Sequence, residues 1–137
     1  MKRVTGLGGI FFKCQDPENI KLWYQTHLGF EISPWGTQFD DKQNSNAYTV
    51  WSPFKADTDY FNPSTKEFMI NFRVENLEAL VQVLLKEGVQ FIDQIESYEG
   101  MGKFVHLLDP EGNKIELWEP NDTEYKKITF NIRPVRR

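Results

Sequence analysis

Cysteine is almost missing from this chain: Cys14 is the single one in 137 residues. An internal disulfide is therefore excluded, and the expected compartment is a reducing one, the cytoplasm. An isolated cysteine in an apolar strand reads as a small buried hydrophobe, with a reactive thiol as the alternative. A basic excess is missing too. The 16 Lys and Arg are outnumbered by 20 Asp and Glu, for a formal net charge of −4, and no basic stripe gathers along the chain, so duplex nucleic acid is not an expected partner. Long apolar runs are also lacking. The run after Met1-Lys-Arg is broken by Gly6, Gly8 and Gly9, too short to span a membrane and without a cleavage site, so no membrane association is expected. Those glycines do not form a phosphate loop, since no helix follows them and no Lys-Ser/Thr closes the pattern.

What the chain does have is an internal echo. Ile115-Glu-Leu-Trp-Glu-Pro120 lies over Tyr48-Thr-Val-Trp-Ser-Pro53 at an offset of 67 residues, and Ile70-Asn-Phe-Arg73 repeats Ile10-Phe-Phe-Lys13. A repeat of about 60 residues is too small to bury a large core, so the two copies must share one. With 39% apolar and 26% charged residues the composition is that of an ordinary globular protein and supplies enough apolar surface for such a core. The reading is one domain over residues 1–120, with units at about 4–60 and 66–120 and a tail at 121–137.

Each unit reads as βαβββ. In the first, a strand over 6–14 precedes Asp16-Pro17, an N-cap followed by proline at the first helical position. Ile20, Trp23, Tyr24, His27 and Leu28 then recur at helical spacing and Gly29 supplies the stop, which places His27 on the inward stripe. Strands over 30–33, 37–40 and 47–52 follow, and the Pro-, Asp- and Asn-rich stretch 53–66 links the units. The second unit repeats the order: a strand over 67–74; a helix capped by Asn76, striped by Leu77, Leu80, Val81, Leu84 and Leu85, and ended by Gly88; then strands over 89–95, 103–108 and 114–119, with 109–112 turning the last hairpin. In the tail, Ile128, Phe130 and Ile132 alternate, open to reading as a solvated end, an edge strand or an arm onto a partner subunit.

Two βαβββ units, Leu28-Gly29-Phe30 ending the first helix, and the closing Asp109-Pro-Glu-Gly-Asn-Lys-Ile-Glu-Leu117 together resemble the vicinal oxygen chelate superfamily, that of glyoxalases, bleomycin-resistance proteins and extradiol dioxygenases. Thr49-Val-Trp-Ser-Pro-Phe54 resembles members described only as glyoxalase-like. The resemblance implies an α+β fold in which two tandem modules form a curved mixed sheet with a cleft, and it implies pairing into a homodimer. It also implies four metal-ligand positions, which fall here on Gly9, Thr49, Met69 and Glu116. Only Glu116 is a competent oxygen ligand, whereas a catalytic metal normally needs about three protein ligands, so neither metal nor other cofactor is expected.

Strand alternation describes the cleft independently of any family. In the last hairpin Val105, Leu107, Ile115 and Leu117 form an apolar face for the helices, leaving Phe104, His106, Lys114, Glu116 and Trp118 on the other. A turn centred on Glu111 pairs His106 with Glu116 and Phe104 with Trp118. Phe11, Met69, Asn71 and Arg73 fall on the cleft side of the first strands, and the repeat adds Thr49 and Trp51. Aromatic walls around a few polar groups suit a small organic ligand, held by Phe11, Thr49, Trp51, Met69, Asn71, Arg73, Phe104 and Trp118. The same wall could equally be a dimer face. His106 beside Glu116 reads as a general base with its orienting carboxylate, or as a cross-strand ion pair. Tyr60, Phe61 and the segment 97–102 border the cleft mouth by resemblance, with Gly100 and Gly102 read as allowing a flap or as an ordinary tight turn. The expected function is metal-free binding of a small molecule. The alternatives are a lactoylglutathione-lyase-type enzyme using Glu116 and a dimeric interaction module without a ligand.

Overall fold

A computed structural model of the chain describes residues 10, 12, 14–34, 36–37, 39 and 55–121. Helix α1, Pro17–Leu28, begins where the Asp16 carboxylate accepts the Asn19 N–H at 3.0 Å, and ends at Gly29, whose left-handed φ of 70° returns its N–H to the Tyr24 carbonyl. The Glu111 carboxylate accepts the N–H groups of Gln15 and Asp16 at 3.1 and 3.2 Å. A turn of the second unit thereby closes over the start of the first unit's helix.

The second unit runs β1 (Ile70–Arg73), α2 (Leu77–Lys86), β2 (Glu96–Tyr98), β3 (Gly102–Leu108) and β4 (Lys114–Pro120). Asn76 caps α2 through the Ala79 N–H, and Glu119 accepts the Leu77 N–H at 2.8 Å, so a β4 side chain completes the helix start. The described strands form one mixed sheet in the order β1-β4-β3-β2, with β1 parallel to β4 and the other pairs antiparallel. The architecture is α+β with an open sheet. His106 lies opposite Glu116 and Phe104 opposite Trp118, the register that the 109–112 turn implies.

Two strand expectations are corrected. Over 89–95 the ladder is reduced to one bridge, Phe91 with Leu107, and the edge strand forms instead at 96–98. The Asp93 side chain is the cause: its Oδ1 accepts the His106 N–H at 2.8 Å, taking the place of a backbone acceptor, and the chain turns away. At 30–33 no strand is assigned. Ser33 and Gly36 exchange backbone hydrogen bonds at 2.8 and 3.1 Å around a tight turn that Gly36 makes possible with φ at 124°. Of the expected strand at 37–40 only Thr37 and Phe39 are described, neither in a strand; 47–52, most of 6–14, and the alternation in the tail lie outside the described residues.

Val105, Leu107, Ile115 and Leu117 are buried against Ile20 and Tyr24 of α1 and Leu77 and Leu84 of α2, so both helices share one core. A polar knot sits at its rim. Asp109 accepts the N–H groups of Glu111 and Asn113 on one oxygen, and the Asn113 amide and the Tyr24 hydroxyl on the other, the last two at 2.7 and 3.0 Å. The hairpin turn is thus tied to α1. Among the described residues no helix is long and apolar enough to cross a membrane.

Burial, followed by the charge of Asp109 and their hydrogen bond, pushes the Tyr24 phenol well above the ordinary tyrosine range. The fold therefore keeps a proton that the unfolded chain releases near pH 10, a contribution complete below that pH and lost as the pH rises above it. Tyr24→Phe should lower stability at neutral pH by about 1–2 kcal/mol and flatten its decline above about pH 10. Urea melts at several pH values check this, and an unchanged midpoint would contradict the tie.

Candidate functional site

The sheet face turned away from the helices carries the residues that alternation assigns to it, yet it is covered. Glu116 is 0% exposed, Trp118 3% and His106 7%. The cover includes the segment 55–66, which brings Tyr60 down onto the sheet. Lys114 holds it there, donating through Nζ to the carbonyls of Tyr60 and of Asn62, the latter at 3.0 Å, while its ammonium lies 5.1 Å from the Tyr60 ring centre. Burial lowers the Lys114 pKa, opposed by the charges of Asp93, Glu116 and Asp59.

Around Glu116 three elements supply donors. Asn71 of β1 donates to Oε1 at 2.7 Å; the Tyr60 hydroxyl makes a short hydrogen bond to Oε2; and Nε2 of His106 lies 2.7 Å from the same oxygen. The Tyr60 oxygen is also 3.3 Å from Nε2. The other His106 nitrogen, Nδ1, is 2.6 Å from Asp93 Oδ2, and the His106 backbone N–H meets Asp93 Oδ1. Both contacts of the ring are hydrogen bonds only when each holds a proton, on the imidazole or on the carboxylate. The result is a continuous chain, Asp93–His106–Glu116–Tyr60, along which protons can be redistributed without large movement.

A cavity of about 220 Å³ opens on this chain, lined by Tyr60, Asp93, Gln94, Glu96, Tyr98, Phe104, His106 and Lys114. Of the residues expected on the cleft face, His106, Phe104 and Lys114 reach it, and Tyr60 reaches it from the expected mouth. Glu116 and Asn71 lie behind His106. Trp118 stacks under Phe104 at 5.8 Å and 7°, donates from Nε1 to the Met101 carbonyl, and carries the Arg73 guanidinium 5.5 Å from its ring centre. Its indole supports the cavity wall from behind. Met69 is half-buried just before β1, and Phe11, Thr49 and Trp51 lie outside the described residues. Asp93, Gln94 and Glu96 were missed among the candidates, whereas Tyr98 belongs to the segment expected at the cleft mouth. Asp93 had one sequence signal, a carboxylate directly after Val89-Gln-Phe-Ile92 in the expected strand.

The glycines of 97–102 make a hairpin turn. The Met101 N–H donates to Tyr98, and a Cβ on Gly102 would fall 2.2 Å from the Glu119 carbonyl oxygen. His27 sits at the rim of another hollow, of about 420 Å³, paired at 2.8 Å with Glu87. Among the described residues that hollow holds no buried proton chain comparable with the one at His106.

The glyoxalase-like domain family matches residues 9–118. The chain belongs to that family. With it comes membership of the vicinal oxygen chelate superfamily. The fold of this glyoxalase-like domain is similar to that of a protein of unknown function from Agrobacterium tumefaciens strain C58, with a TM-score of 0.52 at 17% identity over 82% of this chain and 96% of the other. It is also similar to a lactoylglutathione lyase from Agrobacterium tumefaciens, with a TM-score of 0.50 at 15% identity over 79% of this chain and 87% of the lyase. At such identities the likeness is one of fold alone. No curated protein sequence matches the chain.

The family's metal does not fit the residues described. Of its ligand positions Gly9 and Thr49 lie outside them, Met69 offers a soft thioether, and both oxygens of Glu116 are already engaged by Asn71, Tyr60 and His106. Among the described residues no group of three His, Cys, Asp or Glu side chains is placed to hold an ion.

The carboxylates on either side of His106 should slow exchange of its ring protons. Nitrogen-15 NMR is expected to show downfield, protected imidazole N–H signals, with the Nδ1 signal losing protection in Asp93→Asn. Rapidly exchanging ring protons in the unmodified protein would contradict the paired geometry.

Proposed function

We propose that this glyoxalase-like domain binds a small organic molecule, without a metal, in the cavity beside His106, and that the Asp93–His106–Glu116–Tyr60 chain moves a proton when the bound molecule requires it. The observation that carries the reading is a buried histidine bridging two carboxylates at 2.6 and 2.7 Å directly behind a cavity with aromatic walls. An ion pair needed only for stability has no reason to face a hollow. Asp93, with its side chain 38% exposed, is the most open of the members that line the cavity and meets the ligand first, and His106 passes the charge change inward to Glu116 and Tyr60. Glu116 acts through His106, because its own oxygens are covered; lyase chemistry with Glu116 as the direct base is correspondingly less well supported.

A metabolite screen by thermal shift, followed by titration, tests binding. Phe104→Leu should weaken a ligand by about 1–2 kcal/mol through lost wall area. His106→Gln should leave affinity nearly intact and abolish any turnover, because an amide cannot carry the proton. A broad screen that finds no ligand weakened by Phe104→Leu would reject the site. Separately, protein loaded with nickel, zinc, manganese or iron and then dialysed should retain no stoichiometric ion. A tightly held equivalent that disappears in Glu116→Ala would reinstate the family's metal chemistry.

A further inference from the structure

Charge at the mouth of this cavity is distributed unevenly. Asp93 and Glu96 line it, with Glu116 behind His106, whereas its one lysine, Lys114, is turned onto the carbonyls of Tyr60 and Asn62 and onto the Tyr60 ring. Among the described residues that line it, an entering carboxylate or phosphate would meet carboxylates and no available ammonium. Glu96 stands directly opposite Phe104 in the β2–β3 ladder, so both project from the same sheet face, with Tyr98 beside them two residues along. The Tyr98 hydroxyl donates to one Glu96 oxygen at 2.7 Å, which fixes the carboxylate at the rim; among the described residues the other oxygen has no hydrogen-bond partner. The Tyr98 ring, half exposed, packs edge-on to Phe104 at 5.6 Å and 70°. Aromatic rings set at an angle beside fixed carboxylates provide quadrupole and charge attraction for the same guest, a cation.

We propose that the cavity takes an organic cation, an amine or quaternary ammonium group on a small apolar body, with the charged end between Asp93, Glu96 and the Tyr98 ring and the apolar end against Phe104. The inference rests on the reading of this cavity as a ligand site and specifies its chemistry. The volume of about 220 Å³ is below the roughly 300–1,000 Å³ of sites for drug-sized ligands, which limits the guest to about one ring and its substituent.

Three probes sharing a benzyl body separate the possibilities: benzyltrimethylammonium, phenylmethanesulfonate and benzyl alcohol. Each is titrated into the full chain, with amide shifts of residues 93–104 and the dissociation constant as readouts at low and moderate salt. Benzyltrimethylammonium should bind tightest, shift those amides, weaken with salt, and lose roughly three- to thirtyfold in affinity in Tyr98→Leu, the equivalent of one cation–π contact. Glu96→Gln, a conservative change at an exposed position, should weaken the cation and leave benzyl alcohol unchanged. Equal or tighter binding of the sulfonate or the alcohol at the same residues would overturn the cation inference while leaving the cavity a ligand site. Silence from all three probes would overturn the inference as well, and the metabolite screen would then decide whether the cavity binds anything.

Discussion

A carboxylate with no exposure, Glu116, sits in the middle strand pair of the sheet, and much of the rest follows from the need to satisfy it. An ionised group removed from water costs several kcal/mol unless hydrogen bonds and opposite charge replace its hydration. Here the replacements come from three separate elements: Asn71 on the parallel neighbour β1, His106 on the antiparallel neighbour β3, and Tyr60 from the segment that links the units. The sheet order places the first two, since Glu116 is paired with Asn71 on one side and His106 on the other. The third must be brought from a loop, and Lys114 brings it.

Function and folding therefore share the same groups. The bonds that compensate Glu116 also orient His106, and orientation of an imidazole at both nitrogens is what acid–base work requires. Asp93 completes the arrangement in two ways at once. By accepting the His106 N–H it interrupts the edge ladder between the Phe91–Leu107 bridge and β2, and by meeting Nδ1 it anchors the ring; the same residue lines the cavity beside Tyr98 and Glu96.

The opposite face obeys simpler rules. Apolar residues at alternate positions of β3 and β4 meet the helix stripes, and the cost of burying the polar hairpin turn is met by Asp109, which accepts hydrogen bonds from four donors. Glu111 and Tyr24 then fasten that turn to α1. The two units are joined as much by these directional bonds as by the shared core.

Local chemistry made a good part of this legible in advance. Asp16-Pro17 and Gly29 bound α1 because capping and left-handed backbone are decided within one helical turn. The pairing of His106 with Glu116 and of Phe104 with Trp118 followed from a short hairpin turn and a period of two, in which a slip by one residue would bury charges under the helices. Family membership was legible for the same reason, as ordered local motifs. What only the tertiary structure decided are the contacts between residues distant in sequence. Tyr60 reaches Glu116 across 56 positions, and no periodicity in a Pro- and Asp-rich linker announces which of its side chains turns inward. Asp93 capping a neighbouring strand, and Trp118 lying behind Phe104 as a support, are likewise outcomes of packing and of polar groups competing for partners. The sequence determined the sheet faces; which groups on the cleft face stay open to a ligand depended on what the rest of the chain folded over them.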